Sequence, residues 1–254
     1  MKVKILGGHG GVTIGFQATS YLIDDRFLID AGSVASTLSI EKQARIDHIL
    51  ISHSHLDHIK DLAFLCDNCF GMRPRPFEVW THATVMRLIK EHLFNDTIWP
   101  DFSVLPTAQN PTIRFNTLTP ERPVEIGDYR VTPVPVKHPN DAMGFIVERE
   151  GKAILFTLDT AATERIWEKA REFPALKAIF TEVSFPNKLQ KVADASDHHT
   201  PQTMAQELKK MPPGVPVILT HLKPNFRGEL EQEIAELDEP RIQLLVKDGM
   251  EFNF

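Results

Sequence analysis

A histidine-rich turn that follows a short apolar run constrains this chain more than any other feature. The run is Ile49–Ile51, and the next seven residues include His53, His55, Asp57 and His58. The apolar run predicts a buried strand, and the polar residues predict a turn that leads into a helix. Because His53 and His55 are two positions apart on extended backbone, their side chains point to the same side.

This turn has the composition of a metal site. Imidazole and carboxylate together suit zinc and similar divalent ions. The chain has only 11 histidines in 254 residues, so three of them within six positions are not expected of an ordinary polar loop. Four candidate ligands exceed what one tetrahedral ion that also binds water can use. The spacing therefore predicts two ions side by side.

Composition and charge narrow the function classes. With 42% hydrophobic and 24% charged residues, the chain is of the globular type and can bury a sizeable core. A net charge of −6 argues against a general nucleic-acid binder, so no stable nucleic-acid partner is expected. A small anionic substrate stays compatible, because bound metal ions would make the site locally positive.

The location of the protein is predicted from what the sequence lacks. No stretch has the length of a membrane span, and the first residues have no apolar core of a signal peptide. We therefore expect a cytoplasmic protein without a membrane partner.

Cys66 and Cys69 lie in a segment that reads as helix, and no second pair accompanies them. Two reduced helical cysteines are therefore favoured over a metal or redox motif.

The order of apolar runs predicts an α/β fold in which two sheets pack face to face with helices outside. We expect one domain over residues 1–254. The segment 95–111 is irregular and carries prolines and aromatics, which suits either a lid over the site or a plug at the edge of the core. Strands are predicted at 3–6, 19–23, 27–29, 49–51, 77–81, 112–118, 124–126, 129–136, 144–148, 153–158, 177–183, 215–220, 241–246 and 251–254, and helices at 58–70, 83–94, 163–173, 200–211 and 228–237.

Further metal ligands are expected at strand ends, where the first four lie. His138, Asp159 and His221 each come directly after a predicted strand. Singly, each is as easily a surface loop residue. Three together, in a chain that already holds the histidine turn, favour a site at one rim of a sheet sandwich.

The histidine turn followed by His138, Asp159 and His221 resembles the metallo-β-lactamase superfamily over nearly the whole chain. This resemblance implies a four-layer αββα sandwich with the metals at the rim between the sheets. It also implies how the ligands divide, with Asp159 bridging two metals. The first metal would take His53, His55 and His138, and the second Asp57, His58 and His221.

Further stretches resemble the class II cyclic-nucleotide phosphodiesterases. They are residues 19–24, 27–32, 182–187, 198–201 and 220–224. Asp159 argues against a true β-lactamase, whose pattern lacks a bridging carboxylate. The RNase Z endonucleases share the first turn, but they carry a long tRNA-binding arm that is not recognised here. The superfamily turn usually has Gly where this chain has Asp61, a departure that leaves the ligands intact but bears on the geometry of the following helix.

The resemblance implies a hydrolase that converts 3′,5′-cyclic nucleotides to 5′-monophosphates. A hydroxide shared by two divalent ions, with the bound water's pKa lowered to about 7, would attack phosphorus in line. Asp57 would position ions and nucleophile with Asp159, and His198 would protonate the departing oxygen. Lys223 and Thr200 are candidate substrate contacts.

Several alternatives stay open on sequence alone. The same turn fits an RNase Z-like nuclease, or a lactone or thioester hydrolase on the same fold. A non-catalytic scaffold protein would be indicated by missing ligands, and none is missing. Zinc is the expected metal, with manganese or iron open, because ligand type sets only a preference. A homodimer is open as well, with residues 38–40 and 95–111 as the segments to inspect.

Overall fold

The computed structural model describes residues 1–254, apart from the side chains of residues 244 and 245. Its strands are β1 (Lys2–Gly7), β2 (Ser20–Ile23), β3 (Phe27–Ile29), β4 (His48–Leu50), β5 (Phe77–Thr81), β6 (Pro106–Thr107), β7 (Asn110–Pro111), β8 (Ile113–Thr117), β9 (Val124–Ile126), β10 (Tyr129–Pro135), β11 (Met143–Arg149), β12 (Lys152–Phe156), β13 (Leu176–Glu182), β14 (Val217–Thr220), β15 (Ile242–Leu245) and β16 (Glu251–Asn253). Its helices are α1 (Val34–Thr37), α2 (Ile40–Gln43), α3 (Leu56–Asn68), α4 (Ala83–His92), α5 (Arg165–Ala170), α6 (Gln190–Ala195), α7 (Pro201–Leu208) and α8 (Arg227–Ala235).

The strands form two seven-stranded sheets and one small hairpin. The first sheet has the order β16-β1-β2-β3-β4-β5-β8, and the second has the order β15-β14-β13-β12-β11-β10-β9. Strands β3, β4, β5 and β8 run parallel to one another, as do β12, β13, β14 and β15. Apart from β16, which joins the first sheet from the end of the chain, each half of the chain therefore contributes one sheet with a parallel core.

Three apolar layers show that both sheets are covered on both faces. The inner layer, with Tyr21, Phe145 and Phe156, lies between the sheets. An outer layer joins the first sheet to α1, α3 and α4, and another joins the second sheet to α5, α7 and α8. Strands buried on both faces are continuous apolar runs, which is how Ile49–Ile51 appears in the sequence. The predicted αββα sandwich is confirmed.

Parallel strands bring their carboxyl ends to one edge of each sheet, and this places the site. In the first sheet, Asp30 follows β3 and the histidine turn follows β4. In the second sheet, Asp159 follows β12 and His221 follows β14. Strand β10 is antiparallel to β11, which is antiparallel to β12, so its end and His138 lie at this edge too. Ligands of open α/β sheets bind at such carboxyl ends.

The element boundaries differ from the sequence expectations mainly in short helices. Helices α1, α2 and α6 were not predicted, because runs of four to six residues carry too little periodicity to detect. In the 95–111 segment, Phe102 is 3% exposed and packs in the outer layer with Phe94. This aromatic residue is therefore part of the core. Cys66 lies in α3, Cys69 ends it, and both are buried free thiols, as predicted.

The helices were also compared with what a membrane span requires. In the part of the chain that the structure describes, no helix is both long and apolar enough to cross a bilayer.

Candidate metal centre

All seven predicted metal ligands meet at the carboxyl edge of the two sheets. Within each of two groups, one ligand atom per residue lies within 4.8 Å of all the others. The first group is His53, His55, His138 and Asp159, and the second is Asp57, His58 and His221. The three histidines of the first group and the three residues of the second are the two ligand sets that the resemblance implied. Asp159, His198 and His221 form a third such group.

Asp159 lies between the two groups. Its Oδ2 is 3.2 Å from Nε2 of His58 and 3.7 Å from Nε2 of His53. Its Oδ1 is 3.2 Å from Nδ1 of His221. A carboxylate that reaches imidazoles of both groups is placed as a bridging ligand has to be.

Hydrogen bonds to the outer nitrogens of His53 and His58 fix which nitrogen faces the centre. Asp30 is fully buried, and its Oδ2 lies 2.6 Å from Nδ1 of His58. Because a carboxylate only accepts, Nδ1 of His58 carries the hydrogen. The Ser52 hydroxyl donates to the same Oδ2 at 2.8 Å and accepts from Nδ1 of His53 at 3.0 Å. Both histidines therefore turn Nε2 inward, the nitrogen that is left to bind a metal when Nδ1 is held by a hydrogen bond.

The inward-facing atoms of the centre are buried without hydrogen-bond partners among the described residues. Nε2 of His53, His58 and His221 and Oδ1 of Asp159 are in this state. Nδ1 of His138 donates to the Asp197 carbonyl at 3.0 Å, which leaves its Nε2 facing Nδ1 of His55 at 3.1 Å. Buried polar atoms are rarely left unsatisfied, and lone pairs aimed at one point suit a cation. The residues therefore fit a divalent metal.

The protonation states agree with this interpretation. Burial, reinforced by the neighbouring His58, holds the pKa of His53 well below its ordinary value. Burial also lowers the pKa of His221 to about 4. Burial alone would raise the pKa of Asp159, but His221 and His58 outweigh it and hold that pKa well below the usual range. Neutral imidazole and ionised carboxylate are the ligand forms of these groups.

His58 differs from the other imidazoles in retaining a proton. Burial alone would lower its pKa, but the carboxylates of Asp159, Asp30 and Asp57 raise the pKa well above its ordinary value. A cation bound at Nε2 would replace that proton, so metal loading releases a proton at this residue.

The backbone is strained at the strand ends that deliver the ligands. Leu158 and His221 have positive φ values of 56° and 62°, and Asp30 has 54°. Non-glycine residues adopt such angles at a cost of about 1–3 kcal/mol each, and three of them lie at strand ends around the centre. The His221 amide donates to the Gly8 carbonyl at 2.6 Å, which holds the strained turn in place.

Asp61 replaces the superfamily's usual glycine without disturbing the helix. Helix α3 runs without interruption from Leu56 to Asn68, and Asp61 is 3% exposed within it. Its Oδ2 accepts from the amides of Ala35 and Ser36 at 2.9 and 3.0 Å. The carboxylate therefore ties α3 to the first turn of α1, where anions are stabilised.

His198 stands beside the centre, with Glu182 behind it. The His198 ring lies 5.0 Å from that of His138 and 5.4 Å from that of His221, centroid to centroid. Its Nδ1 is 2.7 Å from Oε1 of the fully buried Glu182. Burial alone would lower the His198 pKa, but Glu182 outweighs it and raises the pKa above its usual value.

Sequence reasoning missed Glu182 and Asp30 as functional residues. Both end a buried strand at the carboxyl edge, β13 and β3. The rule that selected His138, Asp159 and His221 applied to them equally. Nothing in their spacing shows that each holds a histidine rather than a metal.

The side chains of the two candidate substrate contacts already form hydrogen bonds to other residues of the protein. Thr200 is fully buried and caps α7, and its hydroxyl donates to Oε1 of Gln190 at 2.6 Å. The Lys223 ammonium donates to the Gly10 carbonyl at 2.6 Å and lies 5.7 Å from the centroid of the Phe185 ring. Their contact with substrate stays a prediction.

Comparisons with known proteins define the class. Residues 25–222 match the family described as a beta-lactamase superfamily domain, which covers more than half of the chain. The chain therefore belongs to the beta-lactamase superfamily, and it is a hydrolase of that class.

Particular relatives narrow the comparison. The chain is 26% identical over 305 aligned positions to a probable 3′,5′-cyclic-nucleotide phosphodiesterase of Yersinia pestis, covering 99% of this chain and 86% of that protein. Among solved structures, the metallo-beta-lactamase fold protein YhfI of Bacillus subtilis matches with a TM-score of 0.77 and 18% identity over 99% of both chains. Yeast PDE1 matches with a TM-score of 0.76 and 19% identity over 94% of both chains. These structural likenesses show the fold alone.

Proposed function

We propose that the protein is a metal-dependent phosphodiesterase that hydrolyses 3′,5′-cyclic nucleotides to 5′-monophosphates. The observation that carries this proposal is the His198–Glu182 pair, which sets a proton donor at the rim of a histidine and aspartate centre. A cyclic nucleotide needs such a donor, because its leaving group O3′ is an alkoxide. The Yersinia pestis relative, whose name gives this activity, supports the same choice.

The proposed cofactor is two divalent cations, with zinc preferred from the nitrogen and oxygen ligand set. His53, His55 and His138 would hold one, Asp57, His58 and His221 the other, and Asp159 both. Bound there, divalent cations supply an activated water and neutralise the charge of the phosphate. Asp57 and Asp159 thereby fix where water and phosphorus meet.

His198 supplies the proton that the reaction consumes at the leaving group. As water adds to phosphorus and releases one proton to solvent, the bond between phosphorus and O3′ breaks, and O3′ takes a proton from Nε2 of His198. His198 then regains a proton from solvent. Nδ1 keeps its hydrogen bond to Glu182, so the ring does not turn away during transfer. Glu182 raises the pKa of His198 and thereby favours the protonated ring, which is the state a general acid needs.

The proposed setting follows from the same observations. The substrate is a small phosphodiester, and we propose the cytoplasm as the compartment because the two cysteines are free and buried. Neither a membrane nor a nucleic acid is proposed as a partner.

Product analysis by chromatography tests the proposal. Zinc- or manganese-loaded protein is incubated with 3′,5′-cyclic AMP and cyclic GMP, with and without chelator. We expect the 5′-monophosphate, its loss with chelator, and no product from Asp159→Ala. Asp24→Ala is the matched control, because this aspartate lies at the opposite end of the sandwich in the Arg149 ion pair.

The outcomes separate the competing functions. Turnover of bis(4-nitrophenyl) phosphate but not of cyclic nucleotides would support phosphodiesterase activity and would reject cyclic nucleotides as the substrate. Cleavage of precursor tRNA instead would identify an RNase Z-like nuclease. Metal-loaded protein that turns over none of these would contradict the proposal and direct testing to lactones and thioesters.

A further inference from the structure

The hairpin between β1 and β2 ends in an apolar tip that is exposed beside the metal centre. Thr13 and Phe16 exchange backbone hydrogen bonds of 3.1 and 3.0 Å across the turn, so the tip is ordered. Val12 is 56% exposed and Ile14 is 99% exposed. A fully exposed isoleucine on an ordered turn contributes nothing to the core, which points to a contact outside the fold.

The base of this hairpin touches the metal centre directly. The Gly10 amide donates to the Leu222 carbonyl at 3.3 Å, and the Gly10 carbonyl accepts from Lys223 at 2.6 Å. A Cβ at Gly10 would lie 2.7 Å from Cδ2 and 2.8 Å from Nε2 of His221. Only glycine therefore fits here, and the hairpin is continuous with the ligand histidine.

A cavity of about 470 Å³ opens between the hairpin and the segment that follows His221. Its size is in the range of small-molecule sites. Val12, Phe16 and Pro224 give it apolar walls, and Thr13 and Asn225 give it polar groups. Within the described residues, the Asn225 amide and the Thr13 hydroxyl form no hydrogen bond to the protein.

The other face of the same hairpin is more highly charged. The cavity there contains His9, whose Nδ1 lies 3.1 Å from Oδ1 of Asp248. Arg227 is also there, and its Nε lies 2.6 Å from Oε1 of Glu231. Lys247 and Asp248 add further charges to that lining. Among the described residues, Lys223 is the one charged residue that lines the cavity toward Asn225, so the latter suits a neutral ring better.

We propose that the cavity between the Gly10–Phe16 hairpin and Lys223–Asn225 binds the nucleobase of the substrate. A base has apolar faces and a hydrogen-bonding edge, and the cavity offers apolar walls with an unpartnered amide and hydroxyl. Only a ribose separates base from phosphate, and the hairpin adjoins the centre through the Gly10–His221 contact. Lys223 holds the hairpin in position. This inference rests on the proposed phosphodiesterase function.

Two ligands isolate the contribution of the base. 5′-AMP and ribose 5-phosphate share the sugar and the phosphate and differ in adenine. Titration calorimetry of the metal-loaded protein with each gives a ratio of dissociation constants that does not depend on turnover. We expect 5′-AMP to bind about tenfold tighter, the scale of one stacked base.

Two variants remove the site in different ways. Val12→Ser takes away an apolar wall. Gly11→Leu fills the cavity, since a Cβ there would lie 3.3 Å from Cδ of Pro224, a contact that a small shift accommodates. We expect both to bring the ratio near one. Val104→Ser is the matched control, because Val104 is 47% exposed in the segment that leads to the start of β8, away from the carboxyl edge.

The outcomes distinguish this inference from the function on which it rests. A ratio near one in the wild type, or a ratio that both variants leave unchanged, would overturn the base site even if cyclic AMP is hydrolysed. A ratio that falls in both variants, with no phosphodiester hydrolysed, would keep the base site and reject the function. For cyclic AMP, we expect Val12→Ser to raise KM about tenfold, with a smaller change in kcat.

Discussion

The two ends of the sheet sandwich carry the same kinds of polar residue. These residues largely pair with one another at one end, and they leave buried atoms without partners at the other. At the end away from the metal centre, Arg149 and the Tyr129 hydroxyl both lie 2.7 Å from Oδ2 of Asp24. Arg26 lies 2.7 Å from Oδ2 of Asp47. His48 leaves one nitrogen unpartnered there, but no group of three ligand atoms found among the described residues includes it. The polar groups at this end largely satisfy one another.

At the carboxyl end the polar groups are arranged to leave atoms free. Asp30 and Ser52 bind the outer nitrogens of His58 and His53, and the inner nitrogens face a common point without partners. Such an arrangement costs stability, because buried polar atoms without partners lose their hydration. The difference between the ends shows what separates a polar cluster that serves the fold from one that awaits a ligand.

The largest effect is expected at Asp159, which belongs to the first ligand group and contacts imidazoles of the second. Asp159→Ala removes the carboxylate that reaches His58 and His221, and it should lower cyclic-nucleotide hydrolysis to the rate of chelator-treated protein. Metal content measured by mass spectrometry should fall as well. Asp24→Ala at the other end should leave both unchanged. Equal loss of metal in the two variants would contradict the contrast between the ends.

A smaller loss is expected when the proton donor is removed. His198→Ala should lower kcat for cyclic AMP by about 10²–10⁴-fold, the usual contribution of general acid catalysis. The loss should be much smaller for bis(4-nitrophenyl) phosphate, because 4-nitrophenolate leaves without a proton. His92→Ala, at an exposed position of α4, is the control. Equal losses on both substrates would assign His198 a structural role instead.

Glu182→Gln should shift the pH dependence rather than abolish activity. The pKa of His198 is raised by Glu182 against the effect of burial, so without the carboxylate that pKa falls. Catalysis needs protonated His198, and kcat falls as pH rises through its pKa. The variant should therefore lose activity at lower pH than the wild type, and stopped assays across neutral pH measure this.

The matched control for this shift is Glu207→Gln. Glu207 is 1% exposed, and its Oε2 accepts from the Trp167 indole at 2.7 Å. Its loss should lower stability and leave the pH profile in place. An unshifted profile in Glu182→Gln would show that Glu182 does not tune His198.

Much of the fold and the centre was predictable because each signal is local. A continuous apolar run marks a strand covered on both faces, and a ligand directly after it marks the carboxyl edge. This found His138, Asp159 and His221 from separate strands. The pairing of Glu182 with His198 and of Asp30 with His58 was not predictable, because these contacts join strand ends to residues 16 and 28 positions away. Only the folded chain shows which carboxylate serves which imidazole.

The smallest effect expected is at the satisfied end, where it should appear in stability alone. Tyr129→Phe removes a buried hydrogen bond to the charged Asp24, and we expect the free energy of unfolding to fall by about 1–3 kcal/mol. Chemical denaturation with chelator present measures this, since a bound metal would add its own stabilisation. Hydrolysis should stay at the wild-type rate. A matching loss of activity would show that the two ends are coupled through the inner layer, and the division between fold-serving and ligand-serving clusters would then fail.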